Sequence, residues 1–238
     1  VIGHNIVAYR GGIMLKKLRD RFSPPLPTYL AAASFSLLGV NSFAARFPFA
    51  LCGLASLLLI VTWLRRAKAP PLIWHLTAIA ILGNVSLFLY FRQSRYYALV
   101  ILCSIALGYL YCNWRDTRLQ TVRFALVSVC LFASNYIAYF EVYTALTVDY
   151  LFWGRRSIKL RPRAWFLLFG IQAVANIAIT MIWNPFSTHH GGALFTNNPT
   201  QRVTLFFWNL RDLNACEFGV AALLTAAPLL YFKHRNYR

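Results

Sequence analysis

Acidic side chains are scarce in this chain: six Asp and Glu stand against 24 Lys and Arg in 238 residues, a formal net charge of +18. An excess of that size suits a nucleic-acid binder where the basic residues share a folded polar face. Here they lie mostly in short clusters between apolar runs, so no nucleic-acid partner is expected. Cysteine is sparse as well. Cys52, Cys103, Cys112, Cys130 and Cys216 lie within or at the ends of apolar runs, with the spacing of neither a zinc site nor a disulfide framework. They read as small core residues, and no metal site is expected. Period-two alternation is missing too, which sets aside a transmembrane β-barrel, whose strands need alternating segments of about ten residues. No stretch reads as a soluble domain or a linker. The chain begins at Val1 rather than Met, and the expectation is a fragment.

What the chain has in abundance is apolar sequence: 59% of its residues are hydrophobic and 16% aromatic, with a mean hydropathy of +0.53. Soluble domains average about 45–50% apolar. The expected fold is all-α, a polytopic transmembrane helical bundle forming a single domain over 1–238. Seven spans are expected, at roughly 46–64, 72–91, 95–112, 121–136, 138–153, 164–183 and 216–232. Residues 1–45 then form an outer loop and juxtamembrane segment, 46–183 six spans, 184–214 an outer loop and 215–232 the seventh span.

Orientation follows from the basic residues. They cluster in "RRAK" (65–68), "NWRDTR" (113–118, with Arg123), "GRRSIKLRPR" (154–163) and "KHRNYR" (233–238), after spans one, three, five and seven. The other connections carry only Arg92 and Arg95, then nothing, then Arg202 and Arg211, so the count is fourteen against four. The rich side is the cytoplasmic one. Residues 121–153 are flanked by cytoplasmic clusters at both ends and must form a hairpin, turning near Ser134-Asn135-Tyr136. Its arms are short for full spans, so part of it is expected to be buried in protein rather than lipid. By the same reasoning Arg46 lies outside. The run 24–39, too short to cross comfortably and carrying Ser34 and Ser36, lies along the outer surface with Pro24 and Pro25 fixing its approach.

Polar material therefore concentrates outside. In "FRQSRYYAL" (91–99), Arg92 and Arg95 stand at a non-cytoplasmic boundary, against the charge bias. A phosphate at headgroup depth suits them, because a guanidinium fork matches phosphate oxygens. The bland alternative is an arginine snorkelling to bulk headgroups beside an aromatic belt. That alternative is favoured for Arg92 and Tyr97, and a phosphate role for Arg95 with Tyr96. Glu141, Asp149 and Glu217 lie within or beside apolar runs, where ionisable groups are suspects for function. Asp149 is expected to pair with Arg155 or Arg156, and Glu141 stays open. The adjacent His189 and His190 lack a carboxylate or third histidine nearby, so the loop 184–214 reads as a substrate cover or a solvated loop rather than a metal site. His4 and Asn5 complete the outer-loop candidates, and Arg211 and Asp212 lie close to the outer surface.

"FSPPLPTYLAAASFSLLGVNSFAARFPFALCG" resembles the His-Pro-Pro-Leu segment of the GT-C integral-membrane glycosyltransferases, where a short apolar stretch, a turn and Ala-Ala-Arg-Leu-Pro follow. "SRYYALVILCSIALGYLY" resembles that family's Ala-Arg-Tyr-Tyr segment, and "FASNYIAYF" sits where it often has a His-Tyr turn. The protein O-mannosyltransferase-like and lipid A aminoarabinose transferase-like members are the nearest in pattern, over about residues 1–153. The resemblance implies transfer of a sugar from a polyprenyl-phosphate carrier to an acceptor outside the cytoplasm, by inverting displacement with polyprenyl phosphate leaving. It implies no certain cofactor. It places Arg95 near the lipid phosphate with Tyr96 beside it, and Asn135 and Tyr136 by the donor pocket. Ser23 and Asn135 stand where the family has histidine. The place of the family's acidic pair reads Val1-Ile2-Gly3-His4, so no catalytic base is named: the carboxylates lie upstream or are lacking. A non-catalytic binder or transporter of the lipid carrier is the alternative.

Overall fold

The computed structural model describes residues 24–152, 154 and 161–183. Among the described residues there are eight α-helices and no strand: α1 Pro25–Leu38, α2 Ser42–Arg66, α3 Pro71–Leu82, α4 Val85–Arg92, α5 Tyr97–Cys112, α6 Arg118–Ser134, α7 Tyr136–Phe152 and α8 Pro162–Ile182. They fall into two compact units, residues 24–60 with 92–183, and residues 61–91.

In the first unit, Pro24 and Pro25 start α1 where a missing N–H costs nothing. The Thr28 hydroxyl donates back to the Pro24 carbonyl at 2.8 Å. Fourteen residues at 1.5 Å each give about 21 Å, short of the roughly 30 Å hydrocarbon core. The helix ends at Gly39, whose φ of +76° is readily reached without a Cβ. Asn41 then serves both neighbours: its Nδ2 donates to the Leu38 carbonyl at 3.0 Å, and its Oδ1 accepts from the Ala44 amide at 2.8 Å.

Pro48 lies inside α2 and cannot donate to the carbonyl four residues earlier, that of Ala44. The Ser34 hydroxyl of α1 takes the vacancy, donating to the Ala44 oxygen at 2.6 Å in a buried setting. A proline that would leave an acceptor bare thus becomes the point at which α1 is tied to α2.

Helix α6 is the hub of the unit, with its most extensive interfaces against α8 and α5 and smaller ones against α7 and α1. Cys103, Leu107 and Tyr111 of α5 recur every four residues, which puts them on one face, and meet Phe124, Ala125 and Leu131 of α6, Ala138 of α7 and Leu168 of α8. Half-buried polar bonds between helices add to this packing. Ser128 Oγ lies 2.6 Å from Tyr143 Oη, and Tyr139 donates to Gln172 Oε1 at 2.7 Å. The 121–153 hairpin turns at Asn135, as expected. Of its arms α6 is buried in protein, whereas Ala138 is the only fully buried residue of α7.

In the second unit, the continuous span expected over 72–91 is absent. The helix stops at Leu82, and Asn84 starts α4 by accepting from the Leu87 amide at 2.7 Å. Gly83-Asn84 is a stop followed by an N-cap, and the hydrophobicity of its flanks concealed it.

Among the described residues two helices are long and apolar enough to cross a membrane: α2, mean hydropathy 2.2, and Pro162–Met181 of α8, mean hydropathy 1.7. Each has only 17% of its apolar window buried, unlike the core helix of a soluble domain. Phe166, Val174 and Met181 project from α8 at 81, 73 and 78% exposure. The seven spans expected are therefore not matched in length. At 16 and 17 residues, α5, α6 and α7 reach about 24–26 Å, and 216–232 lies outside the described residues.

Candidate functional site

Helix α2 and the turn between α4 and α5 bring together residues that lie far apart in sequence. Ser42, Ala45 and Arg46 from the start of α2, with Arg92, Gln93, Ser94 and Arg95 from the turn, line a cavity of about 510 Å³. That lies within the roughly 300–1,000 Å³ usual for small-ligand sites. Three guanidinium groups line it, and none of its seven residues is acidic. Arg46, Arg92 and Arg95 are exposed, and none of them makes an ion pair or hydrogen bond among the described residues. The first turn of α2 adds the positive end of a 25-residue helix dipole to the same wall. Like charges gathered without a counter-charge repel one another, and the arrangement relaxes when an anion enters.

The structure brings Arg92 and Arg95 together with Arg46, a residue that sequence reasoning had placed outside but not in the site. The available signal was topological. The expected topology puts 46 and 92–95 on one side of the membrane, with Arg46 at the start of a span, and so at one mouth. Tyr96 meets Tyr97 at a tilt of 46°, ring centroids 4.4 Å apart, next to the turn rather than in the lining. Pro24 and Pro25 begin α1 and do not line the cavity.

Asn135 is occupied as a helix cap: its Oδ1 accepts from the amides of Ile137 at 2.9 Å and Ala138 at 3.2 Å. Tyr136 meets Trp183 edge to face at 6.1 Å. Neither lines the arginine cavity. Glu141 is exposed on α7. Asp149 accepts from the Tyr111 hydroxyl at 2.6 Å, while Arg155 and Arg156 lie outside the described residues. Arg161 pairs with Asp116 at 2.7 Å, joining the start of α8 to the loop before α6. A second, smaller cavity of about 100 Å³ is walled by aromatic rings, among them Tyr111, Trp114, Tyr150 and Trp165. His4, Asn5, His189, His190, Arg211, Asp212 and Glu217 lie outside the described residues. Among the described residues no three His, Cys, Asp or Glu side chains gather as a metal site.

Comparison with protein-family models, curated proteins and solved structures returned no match. The resemblance to GT-C glycosyltransferases therefore rests on sequence segments alone, the "FSPPLP…" and "SRYYAL…" segments with "FASNYIAYF". The first two of these segments hold all seven lining residues except Arg92 and Gln93, which immediately precede the second.

Proposed function

We propose that this chain is part of a polytopic membrane glycosyltransferase of GT-C type, with about seven spans and the arginine cavity on the extracytoplasmic face of an inner or plasma membrane. It takes a sugar from a polyprenyl-phosphate-linked donor and delivers it to an extracytoplasmic lipid, glycan or protein. The observation that carries the reading is the cavity's three arginines, unpaired among the described residues, at the start of α2, a helix apolar enough to lie in lipid. Such a basin holds the phosphate and stabilises the charge that grows on it as the sugar–oxygen bond breaks. Arg95 supplies a fork to the phosphate, and Ser42, Gln93 and Ser94 supply further donors.

One observation favours a second reading, a protein that binds or moves the carrier without chemistry. No carboxylate lines the cavity, so no general base is at hand among the described residues. Native mass spectrometry of the full-length protein from membranes tests the shared core. A co-purifying polyprenyl phosphate, with or without sugar, is expected, and a preparation carrying only bulk phospholipid contradicts it. Sugar transfer from that lipid to added acceptor then separates enzyme from carrier protein.

A further inference from the structure

We infer that the aromatic crevice between α7 and α8 holds an acyl chain of an anionic phospholipid from the leaflet on its own side of the membrane. The inference goes beyond the glycosyl-transfer reading and shares with it only the placement of the helices in lipid. Helices α7 and α8 each pack on α6 more than on one another, and the space they leave includes the cavity of about 100 Å³. Its walls come from one end of the bundle: Tyr111 and Trp114 at the end of α5, Phe124 near the start of α6, Tyr143 and Tyr150 toward the end of α7, and Trp165 in the first turn of α8. Arg95 precedes the start of α5, so the crevice and the arginine cavity lie at opposite ends of that helix. The crevice is too small for a whole small-molecule ligand and suits part of a chain. Trp165 and Phe169 stack in parallel, 5.1 Å apart at 6°, as a flat apolar wall, and Tyr150 meets Trp165 edge to face at 6.1 Å. Phe169 is 53% exposed and Ile177, two turns on, 59%, so the wall continues along the outside of α8, where the rest of the chain can lie.

Charge selects the headgroup. Arg161 bonds Asp116 at 2.7 Å, which ties the start of α8 to the loop after α5. Arg115 and Arg163 each stand within two residues of that bridge, are exposed, and make no ion pair or hydrogen bond among the described residues. Arg115 directly follows Trp114, and Arg163 lies two residues before Trp165, so both stand beside the crevice wall. The carboxylates at this end are engaged, Asp116 by Arg161 and Asp149 by the Tyr111 hydroxyl. A zwitterionic headgroup brings its own cation and leaves these arginines uncompensated; the single negative charge of phosphatidylglycerol answers them.

The experiment places the full-length protein in phosphatidylcholine nanodiscs with a small fraction of a lipid brominated on its acyl chains, either phosphatidylglycerol or phosphatidylcholine. Tryptophan quenching is read against that fraction. Trp114 and Trp165 lie in the crevice wall and report its occupant; the other tryptophans give a background common to both lipids. Half-maximal quenching is expected at about five- to twentyfold less brominated phosphatidylglycerol than phosphatidylcholine, because each arginine beside an anionic headgroup is worth about fivefold in affinity. Arg115→Gln with Arg163→Gln abolishes that preference. Thr147→Phe, at an exposed position of the lining, fills the crevice and brings quenching by phosphatidylglycerol down to the phosphatidylcholine level. Arg95→Ala, at the far end of α5, leaves the preference intact. Equal quenching by the two lipids overturns the anionic occupant. A preference that survives the double arginine change or Thr147→Phe puts the lipid elsewhere on the bundle and overturns the crevice as its site. Loss of the preference with Arg95→Ala makes one site of two and overturns the separate site. The first two failures leave carrier binding at the arginine cavity untouched.

Discussion

Removing the hydroxyl of Ser34 tests the packing logic at its most specific point. The Ala44 carbonyl has lost its usual helical donor to Pro48 and receives the Ser34 hydroxyl at 2.6 Å, with both residues buried. Ser34→Ala leaves that oxygen without a donor. A buried acceptor stripped of its partner costs about 1–3 kcal/mol, and the upper part of that range applies where lipid keeps water away. Pro48→Ala supplies the missing N–H to the same oxygen. The cost of Ser34→Ala should therefore fall below about 0.5 kcal/mol in the Pro48→Ala background, a coupling of at least about 1 kcal/mol between residues fourteen positions apart. Reversible unfolding of the full chain in mixed micelles, followed by tryptophan fluorescence for wild type, both single variants and the double, yields the cycle. If Ser34→Ala costs the same in both backgrounds, or nothing in either, the proline vacancy is not what holds α1 to α2.

Other perturbations have outcomes as definite. Gly154→Ala should destabilise the protein by about 1–3 kcal/mol in the same unfolding assay, because its Cβ would come 2.5 Å from the Tyr111 hydroxyl that Asp149 accepts; a neutral result would mean that Tyr111 moves aside freely. Asn135→Ala should cost about 0.5–2 kcal/mol through the lost α7 cap, and Asn135→Ser should recover most of it. If Asn135→Ser restores stability but not carrier binding, the asparagine has a ligand role beyond its cap. Cysteines placed at 23 and 41 should both react with an impermeant maleimide from the extracytoplasmic side, since α1 is too short to cross; labelling from opposite sides would mean that α1 crosses and would overturn the orientation.

The helical class and the Asn135 turn were legible because continuous apolar runs and basic flanks are local signals that topology rules convert directly into structure. Arg92 and Arg95 were legible as a pair because they interrupt two apolar runs three residues apart. What escaped was of two kinds. Gly83-Asn84 carries a stop and a cap, but the apolar residues on either side outweighed one glycine and one asparagine, and one expected span became two helices. Arg46 and Ser34 act through partners in other elements: Arg46 meets the arginine turn across a cavity, and Ser34 answers a carbonyl exposed by a proline fourteen residues on. Contacts of that kind have no period and no motif.

Arg95 is where the account of the site is most directly at risk. A short-chain polyprenyl phosphate should bind the full-length protein with about ten- to a hundredfold lower affinity after Arg95→Ala, the cost of one hydrogen-bonded contact to a charged group, and with an intermediate loss after Arg95→Lys. Arg92→Ala should weaken binding less than Arg95→Ala. Affinities for wild type and Arg95→Ala that agree within error would leave the three arginines as headgroup anchors and contradict a phosphate site in this cavity.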